Sequence, residues 1–153
     1  MKIALGSDHR GFQSKERIKE YLTAMNHEVI DFGVPSASSA DYPDTAFPTA
    51  NSVSAKEAEM GILICGSGIG MSIAANKVAG IRAALCHDEL TAQMAREHNN
   101  ANILCLAADL IGEELARRTV DAWLASKFAG GRHERRINKI ADFEASGDGI
   151  AGK

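Results

Sequence analysis

A single α/β domain built on an open, doubly wound parallel sheet is what this sequence predicts. Three observations carry the prediction. Short apolar runs alternate regularly with segments of helical period. The runs are rich in Val, Ile, Leu and Ala without polar alternation, as expected of strands covered on both faces. The 153 residues suffice for one sizeable core and are too few for two, and no linker or internal repeat divides them.

Strands are expected over residues 2–6, 28–32, 61–65, 81–86 and 102–107. Between the first two, Ile18, Tyr21, Leu22 and Met25 form an i, i+3, i+4, i+7 stripe, while Lys15, Glu16, Lys19 and Glu20 lie largely off it, so this segment reads as an amphipathic helix. A second helix starts at Asp44 and carries Pro48 near its first turn, where a missing N–H costs little. Others start near Gly70 and Asp88, the latter as an N-cap. Gly112 precedes a longer helix with Ala116, Val120, Trp123 and Leu124 on one side, which Gly130 and Gly131 break. A last helix over 134–145 has Ile137, Ile140 and Ala141 to bury. Residues 35–40 read as an exposed loop and 146–153 as a flexible tail, leaving a domain over 1–145.

Composition narrows the function. With 45% hydrophobic and 24% charged residues the chain should fold. A net charge of -3 argues against a partner such as nucleic acid, which needs a basic surface. Met1–Leu5 gives way to polar Ser7-Asp8-His9-Arg10 too early for a secretory signal, and no apolar run approaches membrane-spanning length, so a cytoplasmic protein without a membrane partner is expected. Cys65, Cys86 and Cys105 are odd in number and form no CxxC pair, which suits reduced thiols better than a disulfide framework or a structural metal site.

Open α/β sheets bind ligands at the carboxyl ends of their strands. After the first strand, Ser7-Asp8-His9-Arg10-Gly11 places a carboxylate, an imidazole and a guanidinium there; the bland alternative is a capped, solvated turn. After the third comes Cys65-Gly66-Ser67-Gly68-Ile69-Gly70, whose glycines let several N–H groups converge before a helix start, a cradle for negative charge. A dinucleotide site wants GxGxxG after the first strand, and a phosphate-binding P-loop wants Gly-Lys-Ser/Thr; neither pattern is present. The remaining reading is an oxyanion that forms during a reaction. Cys65, at the mouth of that helix, would then be an activated nucleophile or base, against the commoner fate of a buried small hydrophobe, which is assigned to Cys86 and Cys105. Ser67 would share the cradle, or merely form the turn. His98 closes a helix that runs back to the opposite sheet edge, so it is either a helix-terminal cap or a group presented to a neighbouring subunit. Arg132 and Arg136 share a face if the last helix starts early enough, and suit either a solvated surface or a phosphate ester.

Gly6-Ser7-Asp8-His9-Arg10-Gly11-Phe12, Asp41-Tyr42-Pro43-Asp44, the Cys65–Gly70 loop, Ala74-Ala75-Asn76-Lys77, Ile81-Arg82-Ala83-Ala84, His98-Asn99 and Gly130-Gly131-Arg132-His133, in that order, resemble the type B ribose-5-phosphate isomerases, whose relatives act on galactose 6-phosphate or allose 6-phosphate. The resemblance implies a Rossmann-like, flavodoxin-like three-layer sandwich and a homodimer with shared active sites, which can pair further into a tetramer. It also implies aldose–ketose isomerisation of a sugar phosphate without metal or other cofactor. Such enzymes take their base from a cysteine before the glycine loop or a glutamate after it; the latter position is Met71 here, which leaves Cys65. By the same likeness Ser67 moves hydroxyl protons, the amides of Gly66, Ser67, Gly68, Ile69 and Gly70 hold the enediolate, and His98 opens the ring. Asp8, Tyr42 and Asn99 would bind sugar hydroxyls, and His9, Arg132 and Arg136 the phosphate. One position departs: Asp109 stands where an arginine is usual, and a carboxylate facing a dianion would oppose its binding, which leaves open a preference for another substrate such as erythrose 4-phosphate. A non-catalytic anion- or nucleotide-binding module is the competing class, and a redox-responsive use of Cys65 ranks last, with no resolving cysteine nearby in sequence.

Overall fold

The computed structural model describes residues 1–147. Its elements run β1 (Lys2–Ser7), α1 (Phe12–Ala24), β2 (Glu28–Asp31), α2 (Pro43–Ser54), β3 (Met60–Cys65), α3 (Ile69–Ala75), β4 (Ala83–Leu85), α4 (Glu89–Asn99), β5 (Ile103–Ala107), α5 (Glu113–Ala125) and α6 (Arg132–Ser146). All strand pairs are parallel, in the order β2-β1-β3-β5-β4. The chain reverses its winding between β1 and β3, so the loops leaving those two strands splay apart and open a crevice at their carboxyl ends. In the flavodoxin order the last two strands are exchanged.

Two cores account for the three layers. On one face, Ile3, Leu5, Ile62, Ile64, Leu104 and Leu106 meet Ile18 and Leu22 of α1, Ala92 of α4 and Val120 and Trp123 of α5. On the other, Ala4, Leu63, Cys65, Ile103 and Cys105 meet Ala46 and Ala50 of α2 and Met71 and Ala75 of α3. The period-two exchange between faces is why the strands carry no polar alternation.

Several details differ from the sequence expectation. The edge strand β4 is three residues long, because the Arg82 amide donates to Asn102 Oδ1 and the Ala83 amide to Asn76 Oδ1 before the ladder begins. Pro43 occupies the first helical turn of α2, while Pro48 sits in its interior and forgoes one i→i−4 bond. Met25 lies beyond α1 and is 41% exposed, whereas Lys15 is buried, its Nζ between Asp31 at 2.8 Å and Glu16 at 2.7 Å. Asp88 caps α4 as expected, in a reciprocal capping box with Thr91. Helix α6 starts at Arg132, early enough to put Arg132 and Arg136 one turn apart, yet it buries none of its residues; Ile140 and Phe143 are each 58% exposed. Of the expected tail, Ser146 and Gly147 close α6 and 148–153 lie outside the described residues. Among the described residues no helix is long and apolar enough to cross a membrane.

Candidate active site

The crevice holds a cavity of about 320 Å³ lined by Asp8, Arg10, Tyr42, Cys65, Gly66, Ser67, Gly70 and Asp109. Its floor is the last residue of β3. Cys65 is nearly sealed in the core at 5% exposure, and its Sγ accepts a hydrogen bond from the Gly68 N–H at 3.1 Å. The turn that permits this needs Gly68 in the left-handed region at φ 73°, where a Cβ would also run into Leu85 and the Leu106 carbonyl. Ser67 Oγ accepts from the Ile69 N–H at 3.3 Å, so the hydroxyl stays beside the loop. Gly66 and Gly70 are approached just as closely, by Asp109 and Arg10 on one side and by the Tyr42 ring on the other. Tyr42 comes from the residue before α2 and stays 40% exposed at the rim.

The β1–α1 turn forms the opposite wall. Asp8 is buried, with Oδ1 accepting from the amides of Arg10 and Gly11, both at 3.0 Å. His9 lies one cavity further along, its Nδ1 3.2 Å from the Ala40 carbonyl and 3.3 Å from the Ala40 amide. Arg10 and Asp109 line both cavities and form the partition: Arg10 Nε and Nη2 each lie 2.7 Å from Asp109 Oδ2.

The other two cysteines lack this setting. Burial pushes the Cys86 thiol up to about 11 and drives the Cys105 thiol up further, so both stay neutral near pH 7.

His98, Asn99, Arg132 and Arg136 are not in this crevice. Arg82, just before β4, donates through Nε to the carbonyls of Asn99 and Asn100, which fixes the end of α4 at the amino edge of the sheet. Gly130 and Gly131, at φ 66° and 58°, turn the chain so that α6 begins beside it, and the Ala129 amide donates to the Glu97 carbonyl. There the rings of His98 and His133 stack at 4.3 Å with planes 5° apart. Loss of solvation, then the charges of His98, Arg132 and Arg136, lower the pKa of His133 below the usual histidine value. The Cys65 crevice and a basic cluster thus occupy opposite edges of one chain. Among the described residues no three His, Cys, Asp or Glu side chains gather as a metal would need.

Arg10 is the site residue that the sequence reading left without a role. It was visible in the polar turn after β1, but its partner lies 99 residues away, and no local pattern announces such a pair.

The family model described as Ribose/Galactose Isomerase matches residues 3–140. The chain is 47% identical over 143 residues to ribose-5-phosphate isomerase B of Escherichia coli, covering 94% of this chain and 96% of that one. It is 42% identical over 145 residues to D-erythrulose-4-phosphate isomerase of Pectobacterium atrosepticum, covering 94% and 95%. The solved structure of Clostridium thermocellum ribose-5-phosphate isomerase B superposes with a TM-score of 0.94 at 49% identity, covering 95% of this chain and 99% of that one.

Proposed function

Because the chain belongs to the ribose/galactose isomerase family and is a sugar-phosphate aldose–ketose isomerase, we propose that it interconverts ribose 5-phosphate and ribulose 5-phosphate through an enediolate, with Cys65 as the base. The observation that carries this reading is the Cys65 sulfur on the floor of the carboxyl-edge cavity, under a loop whose Gly68 amide points at it.

Isomerisation needs a base for one carbon-bound proton, a host for the enediolate charge, and proton exchange between two oxygens. Cys65 takes the C2 proton of the open-chain aldose and returns it to C1. The amides of Gly66, Ser67 and Gly70 face the developing oxyanion, those of Gly68 and Ile69 join them by leaving Cys65 Sγ and Ser67 Oγ, and the Ser67 hydroxyl carries the proton between O1 and O2. Asp8 and Tyr42 hold the sugar hydroxyls, and His9 stands on the phosphate side. None of these steps calls for a metal or other cofactor.

The site is completed by a second copy of the chain, which supplies His98 to open the ring, Asn99 to a hydroxyl, and Arg132 and Arg136 to the phosphate. Two observations support this pairing. These four residues lie at the edge opposite Cys65, and three helices leave apolar pairs uncovered: Ile69 and Ile73 on α3, Leu90 and Met94 on α4, Ile140 and Phe143 on α6. Scattered apolar exposure is ordinary, but these pairs lie one turn apart on α3 and α4, the helices before and after edge strand β4, and on α6, which packs on α4, and such a grouping suits an isologous interface.

A second reading keeps the chemistry and changes the sugar. Asp109 faces the Cys65 cavity, and a relative named for D-erythrulose 4-phosphate is 42% identical, so a four-carbon substrate competes with ribose 5-phosphate. The test is isomerisation of ribose 5-phosphate, erythrose 4-phosphate, allose 6-phosphate and galactose 6-phosphate by purified protein, followed by proton NMR. Fastest turnover of ribose 5-phosphate is expected; a higher kcat/KM for another sugar reassigns the substrate, and no turnover of any leaves an anion-binding module.

A further inference from the structure

The partition between the two cavities is an ion pair, and the charges lining the Cys65 cavity do not balance. Among the described residues lining the Cys65 cavity Arg10 is the one cation, against the two carboxylates Asp8 and Asp109. Asp8 Oδ1 is committed to the amides of its own turn, whereas Asp109 Oδ2 is held by Arg10, through both Nε and Nη2. Arg10 and Asp109 are 58% and 41% exposed, so their attraction is worth little in free energy and is readily exchanged for another partner. The backbone keeps the pair in place regardless. Asp109 N–H donates to the Gly66 carbonyl at 3.0 Å, which fixes the carboxylate beside the glycine loop, and Arg10 follows the Asp8 turn directly.

A second cation–carboxylate pair, Arg17 of α1 to Glu113 of α5 at 2.7 Å, joins the helices that follow those two turns and lines the outer cavity without reaching the Cys65 cavity. It gives an internal comparison: the same charges, on the helices that follow the two turns, one cavity further out.

We propose that Arg10 is a substrate-anion residue and Asp109 its resident counterion, so that the phosphate of the sugar displaces Asp109 from Arg10 on binding. The carboxylate then sets how weakly the phosphate is held and so governs which phosphosugar is preferred. An arginine fork accepts a phosphate in the same two-pronged geometry in which it now holds Oδ2. Displacement leaves the Asp109 carboxylate beside the bound dianion, and that repulsion is the cost that distinguishes sugars by where they carry the phosphate.

This inference rests on the isomerase reading for the identity of the anion, and its test separates the two. Inorganic phosphate is titrated into the full chain by calorimetry, and KM and kcat are measured for the best sugar phosphate, in wild type, Arg10→Ala, Arg10→Lys, Asp109→Asn and Arg17→Ala. Arg10→Ala is expected to weaken phosphate about tenfold and to raise KM by a similar factor, with the loss falling on KM more than on kcat. Asp109→Asn is expected to tighten phosphate about threefold, and Arg10→Lys to recover part of the Arg10→Ala loss. Arg17→Ala should change either quantity less than twofold. Wild-type phosphate affinity in Arg10→Ala, weaker binding in Asp109→Asn, or equal losses in Arg10→Ala and Arg17→Ala would overturn the assignment. If the wild type turns over no sugar phosphate, the isomerase reading fails while the phosphate titration still decides the role of Arg10.

Discussion

Replacing Cys65 by alanine separates a catalytic thiol from a packing thiol, because the structure sets the two effects at different scales. The substitution removes one sulfur from a nearly sealed site and leaves the Gly68 N–H without its acceptor. The lost burial and the lost hydrogen bond together cost about 2 kcal/mol, or roughly 4–8 °C in Tm for a chain of this size. A domain with the usual stability of about 5–15 kcal/mol stays almost wholly folded at 25 °C after such a loss. A general base is worth about 10²–10⁴ in rate, which unfolding of this extent cannot mimic. The assay is exchange of the C2 proton of the substrate with D2O, followed by proton NMR beside a thermal melt. Cys65→Ala is expected to lower the rate at least about a hundredfold, and Cys65→Ser to do the same with a smaller fall in Tm, since a hydroxyl accepts from Gly68 but is a far weaker proton acceptor. Cys105→Ala is the matched control: it removes a fully buried thiol from the same core and should keep its turnover. More than about a tenth of wild-type exchange in Cys65→Ala would refute the base assignment.

Other perturbations follow from the same geometry. Cys65→Ala and His98→Ala chains, each inactive alone, should regain about a quarter of the wild-type rate after complete subunit exchange, since half the dimers are mixed and each carries one intact site; no recovery with exchange verified by mass spectrometry counts against shared sites. Gly70→Ala would bring a methyl within 2.8–3.0 Å of the Tyr42 ring, and because that ring is partly exposed it should yield at little cost in Tm while KM rises on the order of fivefold; an unchanged KM removes Tyr42 from the sugar site. Asp31→Asn should destabilise the fold by about 3 kcal/mol in a urea titration, because it strips the buried Lys15 of one carboxylate and leaves Glu16. Burial works against the Asp31 charge, but hydrogen bonds from Lys15, Lys19 and the Gly33 amide outweigh it and hold its pKa below the usual carboxylate value. A depressed carboxylate gives stability that is present above its unfolded pKa and lost as pH falls through its folded one, so the wild-type advantage over Asp31→Asn should shrink below about pH 4; a constant gap down to pH 2 would contradict this.

Much of this was legible in the sequence, and the limits have physical causes. Uninterrupted Ile/Leu/Ala runs can serve only strands covered on both faces, so the parallel sheet and its five members followed from composition at those runs. The glycine loop was legible because Gly68 occupies a backbone region that other residues avoid. Strand order was not, since β4 and β5 are both short apolar runs and only the long-range pairing of β5 with β3 decides which lies inside. Lys15 misread as solvated because its charge is met by Asp31, sixteen residues away, and not by its helix neighbours alone. The expectation that Ile137, Ile140 and Ala141 would be buried assumed that the chain covers its own last helix, which it does not.

That unburied helix bears on the chemistry as well as on the packing. The strands are parallel, so any helix returning from a strand delivers its last residues to the edge opposite the crevice, and His98 has no route to its own Cys65. Lengthening α4 would carry His98 further away, and a loop long enough to bring it back would have to cross the sheet. Under the proposed pairing the difficulty disappears, because an isologous two-fold sets the amino edge of one copy against the carboxyl edge of the other and completes both sites at once. The apolar pairs left uncovered on α3, α4 and α6 would then be the surface that holds base and ring-opening group in register, so substitutions such as Ile140→Glu should abolish turnover without touching any residue that contacts the sugar.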